Sequence, residues 1–100
     1  MKRISLAEIA DQCPGARMVD GTATDEIVEI SGVNHDSRSV GQGDLFACIS
    51  GAEHDGHSYA IEAINGGAAA LLVERELNLA IPQVVVPDVR KSIGLASAAV

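Results

Sequence analysis

The first hydrophobic positions of the chain fall at helical spacing. Leu6, Ile9 and Ala10 share a face, Ser5 precedes them as an N-cap, and Glu8 completes a Ser-x-x-Glu capping box. Pro14-Gly15 closes that helix. Ala16 to Val19 predicts a short strand leading into an Asp20-Gly21 turn. The β-branched run of Ile27, Val28, Ile30 and Val33 predicts one strand over Glu26 to Val33, although its alternation is only partial. Asn34 to Asp44 is dense in Asp, Ser and Gly and is expected to be a loop. Leu45 to Ile49 is an apolar run of strand length.

The stretch Gly51 to Gly56 is polar and turn-rich. A helix then places Tyr59, Ala60, Ala63 and Ile64 on one face and stops at Gly66-Gly67. Ala69 to Val73 and Gln83 to Val86 are two further strands. Asp88, following Pro87, caps a last helix whose apolar stripe runs through Val89, Ile93 and Ala96. That stripe is still apolar at Val100, as expected of a truncated chain or of a boundary with a following domain. The order helix, strands, helix, strand, strand, helix predicts an α/β fold. The expectation is a single small layered domain over residues 1–100, a mixed sheet of about five strands flanked by helices.

Composition narrows the partners. Apolar residues make up 47% of the 100-residue chain and the only aromatic residues are Phe46 and Tyr59, so the core must be aliphatic. Seven Lys/Arg against fourteen Asp/Glu give a net charge of −7. A non-specific nucleic-acid binder needs clustered cations to displace phosphate counterions, and two rings make no base-stacking platform. No nucleic-acid partner is expected. No apolar run approaches the roughly 20 residues that span a bilayer, and no secretory signal opens the chain. This predicts a cytoplasmic protein without a membrane partner. Cys13 and Cys48 are expected to be buried free thiols.

Two polar stretches carry candidate chemistry. In Asn34-His35-Asp36-Ser37-Arg38, Arg38 is the only Lys or Arg between Arg17 and Arg75. Its guanidinium suits a phosphate, with Ser37 adding a hydroxyl. The alternative is an internal ion pair with Asp36 or Asp44 that only staples the loop. In Gly51-Ala52-Glu53-His54-Asp55-Gly56-His57, a turn ahead of a helix offers N–H groups to an anion or a nucleobase edge. Here Asp55 and His57 serve equally well as caps and turn formers. His54, His57 and His35 show no metal-ligand spacing, so no metal is expected. Ile49-Ser50-Gly51 lacks the flanking glycines of a nucleophile elbow, and Asn65-Gly66-Gly67-Ala68 lacks the Lys-Ser/Thr of a P-loop. No catalytic apparatus emerges.

Taken in order, the two stretches resemble a known family. Asp36-Ser37-Arg38-x-Val40-x-x-Gly43-Asp44-Leu45-Phe46, Gly51-x-x-x-Asp55-Gly56-His57, Ala63-x-x-x-Gly67-Ala68 and a strand ending Val73-Glu74 resemble the N-terminal UDP-binding domain of the Mur ligases. The ending Gln83-Val84-Val85-Val86-Pro87-Asp88-Val89-Arg90-Lys91-Ser92 looks more like the MurE type than the MurF type, which more often carries Asp-Thr there. Cys48 departs from the commoner Ala while keeping a small side chain.

The resemblance implies an ATP-dependent amide ligase acting on UDP-N-acetylmuramoyl-L-alanyl-D-glutamate and adding meso-diaminopimelate or L-lysine. ATP and Mg2+ would belong to a central domain, and the acceptor to a C-terminal one. Neither domain lies in these residues, so this chain alone is expected to bind no cofactor and to be inactive. Its implied partners are the UDP-muramoyl-dipeptide substrate and the central domain. Position by position, Ser37 would meet the uridine diphosphate, with His35 in the same pocket, and Ala52, Glu53 and His54 would pack on the nucleotide. Asp36, Arg38, Asp55 and Gly56 would organise the loops. Local N–H dipoles let an acidic protein hold a diphosphate. A stand-alone UDP-sugar-binding or interaction module remains the alternative from another class.

Overall fold

The hydroxyl of Ser5 accepts the N–H of Glu8 at 3.2 Å, so the first helix, α1 (Leu6–Gln12), starts where the capping pattern places it. A computed structural model describes residues 4–19, 28–49 and 56–99. Its strands are β1 (Ile4–Ser5), β2 (Arg17–Val19), β3 (Glu29–Ile30), β4 (Gly32–Asn34), β5 (Asp44–Ala47), β6 (Ala70–Val73) and β7 (Gln83–Val85). A 3-10 turn over Gly56–Tyr59 runs into α2 (Ala60–Asn65), and the described chain ends with α3 (Val89–Ala99). Asp88 caps α3 by accepting the N–H of Lys91 at 3.2 Å.

The main sheet has five strands in the order β2-β7-β6-β5-β4. β4, β5, β6 and β7 run parallel, and β2 pairs antiparallel with β7, Met18 facing Val84. This is the mixed α/β sheet expected from the element order.

Alternation along the strands divides the core in two. Leu45, Ala47, Ala70, Leu72, Val84 and Val86 pack with Leu6 and Ile9 of α1 and Val89 and Ala96 of α3. Their neighbours Phe46, Cys48, Leu71 and Val73 pack on the other face with Ala60 and Ala63 of α2. Cys13 and Cys48 are both buried thiols outside any disulfide, as expected.

Two expectations are corrected. The single strand over Glu26 to Val33 is broken at Ser31 across its described residues, 28–33, giving β3 and β4 in separate sheets. Ile30 and Val33 pack into the same core. Residues three apart in one straight strand point to opposite faces, so the chain must bend between them. Ser31 makes the bend by donating its N–H to Gly43 O at 3.0 Å and its hydroxyl to Gln42 O at 3.3 Å. The same break explains why Ile30 and Val33 do not alternate.

The second correction concerns Tyr59. It does not join the buried face of Ala60 and Ala63 but is 39% exposed. It closes the 3-10 turn rather than sitting inside the α-helix, so the 3.6-residue period does not carry it inward. β1, which pairs Ile4 with Ile30, is an element the pattern did not indicate.

Candidate functional site

The loop after β4 is built by side chains that bond their own backbone. Asn34 accepts the N–H of Asp36 on Oδ1 at 2.9 Å and donates from Nδ2 to the carbonyl of Ser39 at 3.1 Å. The Asp36 carbonyl accepts the N–H of Ser39 at 2.9 Å, and Asp36 Oδ1 accepts the N–H of Arg38 at 2.9 Å. These are the local turns that Asn and Asp favour. Asp44 closes the far end of the loop by accepting the N–H of Gly41 at 2.9 Å.

The guanidinium of Arg38 folds back on Asp36. Its Nε lies 3.2 Å from Oδ1 and its Nη2 3.4 Å from Oδ2. Asp44 is not its partner. The backbone N–H of Arg38, then its side chain, hold the Asp36 carboxyl below the usual carboxylate range. The same pairing, with a smaller contribution from Glu62, pushes the Arg38 guanidinium up. The Arg38 side chain is 82% exposed, so the pair fixes geometry more than it stabilises the fold. Ser37 is held, half-buried, between the two partners.

This loop forms one wall of a cleft of about 500 Å³ lined by His35, Asp36, Ser37, Arg38, Phe46, Tyr59 and Glu62. The cleft lies beyond the carboxyl end of β4 and beside β5. Open α/β sheets bind ligands at that end, because loops there leave the parallel strands together. Phe46 is buried to 1% exposure, and the 3-10 turn and α2 bring Tyr59 and Glu62, three residues apart, to the cleft.

Of the residues singled out in the sequence, the structure brings His35, Asp36, Ser37 and Arg38 together on the cleft. Gly56 opens the 3-10 turn. Ala52, Glu53, His54 and Asp55 lie outside the described residues. His57 takes a structural position: it is buried, and its Nε2 accepts the N–H of Glu74 at 3.0 Å. Among the described residues no group of three or more His, Cys, Asp or Glu is placed to hold a metal ion. Sequence reasoning missed Asn34 as a loop organiser, and Phe46, Tyr59 and Glu62 as cleft residues. The spacing of Tyr59 and Glu62 was the available signal, but an aromatic beside Ala60 reads as core.

Residues 29–99 match the family described as Mur ligase family, catalytic domain. The chain belongs to the Mur ligase family. Among curated Mur ligases, it is 47% identical over 72 residues to the UDP-N-acetylmuramoyl-L-alanyl-D-glutamate--2,6-diaminopimelate ligase of Syntrophomonas wolfei, covering 70% of this chain and 15% of that enzyme. The Streptomyces coelicolor enzyme of the same name is 40% identical over 100 residues, covering 95% of this chain and 19% of that one. The chain thus spans less than a fifth of the length of these relatives.

Solved Mur ligases share the fold. A crystal structure of MurF from Acinetobacter baumannii superposes with a TM-score of 0.80 at 24% identity, over 95% of this chain and 20% of that one. A UDP-N-acetylmuramoyl-L-alanyl-D-glutamate--2,6-diaminopimelate ligase superposes with a TM-score of 0.70 at 26% identity, over 98% of this chain and 19% of that one.

Proposed function

We propose that this chain is the N-terminal, UDP-sugar-binding domain of a Mur ligase that joins diaminopimelate to UDP-N-acetylmuramoyl-L-alanyl-D-glutamate in peptidoglycan precursor synthesis. The observation that carries the reading is the cleft at the carboxyl end of β4, whose wall carries Ser37 between the paired Asp36 and Arg38. The Syntrophomonas wolfei and Streptomyces coelicolor relatives, at 47% and 40% identity, bear the name of that reaction, which favours diaminopimelate over L-lysine as the acceptor. A MurF-type ligase is the second reading, because the MurF fold superposes at a TM-score of 0.80. At 24% identity that likeness speaks for the fold alone, and the MurE type is preferred.

In this reading Ser37 hydrogen-bonds the uridine-diphosphate portion and His35 lines the same pocket. Ala52, Glu53 and His54 join the site through the family resemblance. Asp36, Arg38, Asp55 and Gly56 hold the loops. The domain binds and orients the substrate, and the chemistry belongs to the rest of the ligase, beginning with the adjoining central domain. There, ATP with Mg2+ would supply the phosphoryl group that activates the substrate carboxylate. The residues of this chain do not fit that group: the sequence has no Gly-Lys-Ser/Thr loop, and the described residues offer no metal-ligand cluster. No described helix is long and apolar enough to cross a membrane, and a cytoplasmic location goes with this reading.

Calorimetry of the 100-residue chain with UDP and with ADP tests the proposal. UDP is expected to bind and ADP to bind at least tenfold more weakly. Ser37→Ala is expected to weaken UDP by about tenfold, the loss of one good hydrogen bond. No UDP binding, or equal affinity for UDP and ADP, contradicts the proposal.

A further inference from the structure

The charge on the Arg38–Glu62 wall of the cleft does not suit a diphosphate. Among the described residues that line the cleft, the only Lys or Arg is Arg38, which is already paired with Asp36 through two side-chain hydrogen bonds, and Glu62 interacts electrostatically with the same guanidinium. Among the described lining residues, one guanidinium thus stands with two carboxylates. A diphosphate placed against this wall would face the Glu62 carboxylate with the guanidinium charge already met. The rest of the described lining is His35, Ser37, the ring of Tyr59, 39% exposed, and the buried ring of Phe46. These are the only two aromatic residues in the chain, and both line this cleft.

An exposed ring beside a carboxylate suits a neutral ligand that is flat on one face and carries N–H or O–H donors at its edge. Nucleosides have that chemistry, and phosphates do not. A lone ring cannot stack a nucleic-acid strand, but it can stack a single base. We propose that this wall of the cleft is the nucleoside end of the site. The ring of Tyr59 stacks on the pyrimidine, and the Glu62 carboxylate accepts an N–H or O–H of the base or ribose. The diphosphate then lies away from Glu62. The inference rests on the UDP-binding reading and adds which part of the ligand meets which residues.

The sign of the Glu62→Gln effect decides it. The 100-residue chain, Tyr59→Leu and Glu62→Gln are each titrated with uridine, UDP and inorganic diphosphate, with amide spectra checking that each variant is folded. Tyr59→Leu is expected to weaken uridine and UDP about tenfold. Glu62→Gln is expected to weaken both about three- to tenfold, the loss of a charge-assisted hydrogen bond. Neither variant is expected to weaken inorganic diphosphate.

Tighter UDP binding by Glu62→Gln would put the diphosphate beside that carboxylate and overturn the inference. So would unchanged uridine and UDP affinities in both variants, or uridine failing to bind where inorganic diphosphate binds. If UDP binds and Ser37→Ala weakens it while these two variants behave as wild type, only this inference falls. If the wild-type chain binds no UDP, the UDP reading falls with it.

Discussion

The carboxylate of Glu74, just past the end of β6, accepts the backbone N–H of Val89 at 3.0 Å, on the first residue of α3. Asp88 adds a second carboxylate at the same helix end, and the N–H of Glu74 itself donates to His57. One residue therefore ties the 3-10 turn beside the cleft to the start of the last helix. Helix N-termini leave N–H groups unsatisfied and favour negative charge, so both acids stabilise α3.

Glu74→Ala is expected to lower unfolding stability by about 1–2 kcal/mol and Asp88→Ala by about 1 kcal/mol, as for other lost caps. Glu74→Gln keeps an acceptor and should lose less than Glu74→Ala. Urea denaturation of the three variants measures this order.

Asp36 gives a pH prediction. Its folded pKa is depressed by the N–H and guanidinium of Arg38. A depressed carboxyl contributes stability above its unfolded pKa and loses that contribution as pH falls through the folded value. The loop should therefore stay ordered at neutral pH and loosen only below the ordinary Asp pKa of about 3.9. The Arg38 amide signal followed by NMR should titrate with a midpoint below that value, and Asp36→Asn should abolish the titration.

Two glycines should respond in opposite senses to alanine. Gly67 has φ +113°, and a Cβ there would lie 2.9 Å from Gln42 Cα. Gly67→Ala is expected to cost about 1–3 kcal/mol from backbone strain alone. Gly94 sits in α3 with nothing within 4 Å of an added Cβ, so Gly94→Ala should stabilise the protein by about 0.5–1 kcal/mol. Thermal unfolding of both variants checks the pair.

The thiols should be unreactive in the folded state. Burial pushes the Cys13 thiol up, partly offset by its contact with the carbonyl of Ser92 at 3.9 Å. A raised thiol pKa means stability is full below the unfolded cysteine pKa and falls as pH rises past about 8.5. Both cysteines should react slowly with a disulfide reagent at neutral pH and rapidly in denaturant.

Much of this fold is legible in the sequence because its signals are local. Ser5 and Glu8, Pro14-Gly15, Gly66-Gly67 and Pro87-Asp88 mark helix ends by backbone chemistry that needs no tertiary contact. The break at Ser31 is not of that kind. It depends on Ser31 reaching residues 42 and 43 across the loop, which no local pattern states. β1 is two residues long and exists only because Ile4 pairs with Ile30.

The cleft divides the same way. His35, Asp36, Ser37 and Arg38 were visible because four polar residues in a row stand between two apolar runs. Phe46, Tyr59 and Glu62 reach the cleft only through the way β5 and the turn into α2 fold against that loop. In sequence, Phe46 and Tyr59 look like core residues, and only Phe46 is buried.

The central claim is that this cleft binds the uridine diphosphate of a cell-wall precursor. Its most direct test is an NMR titration of the labelled 100-residue chain with UDP, repeated for Ser37→Ala. The account predicts localised shifts at His35 to Arg38, Tyr59 and Glu62, displaced to higher UDP concentration in the variant. A well-dispersed spectrum that does not change at millimolar UDP would contradict it.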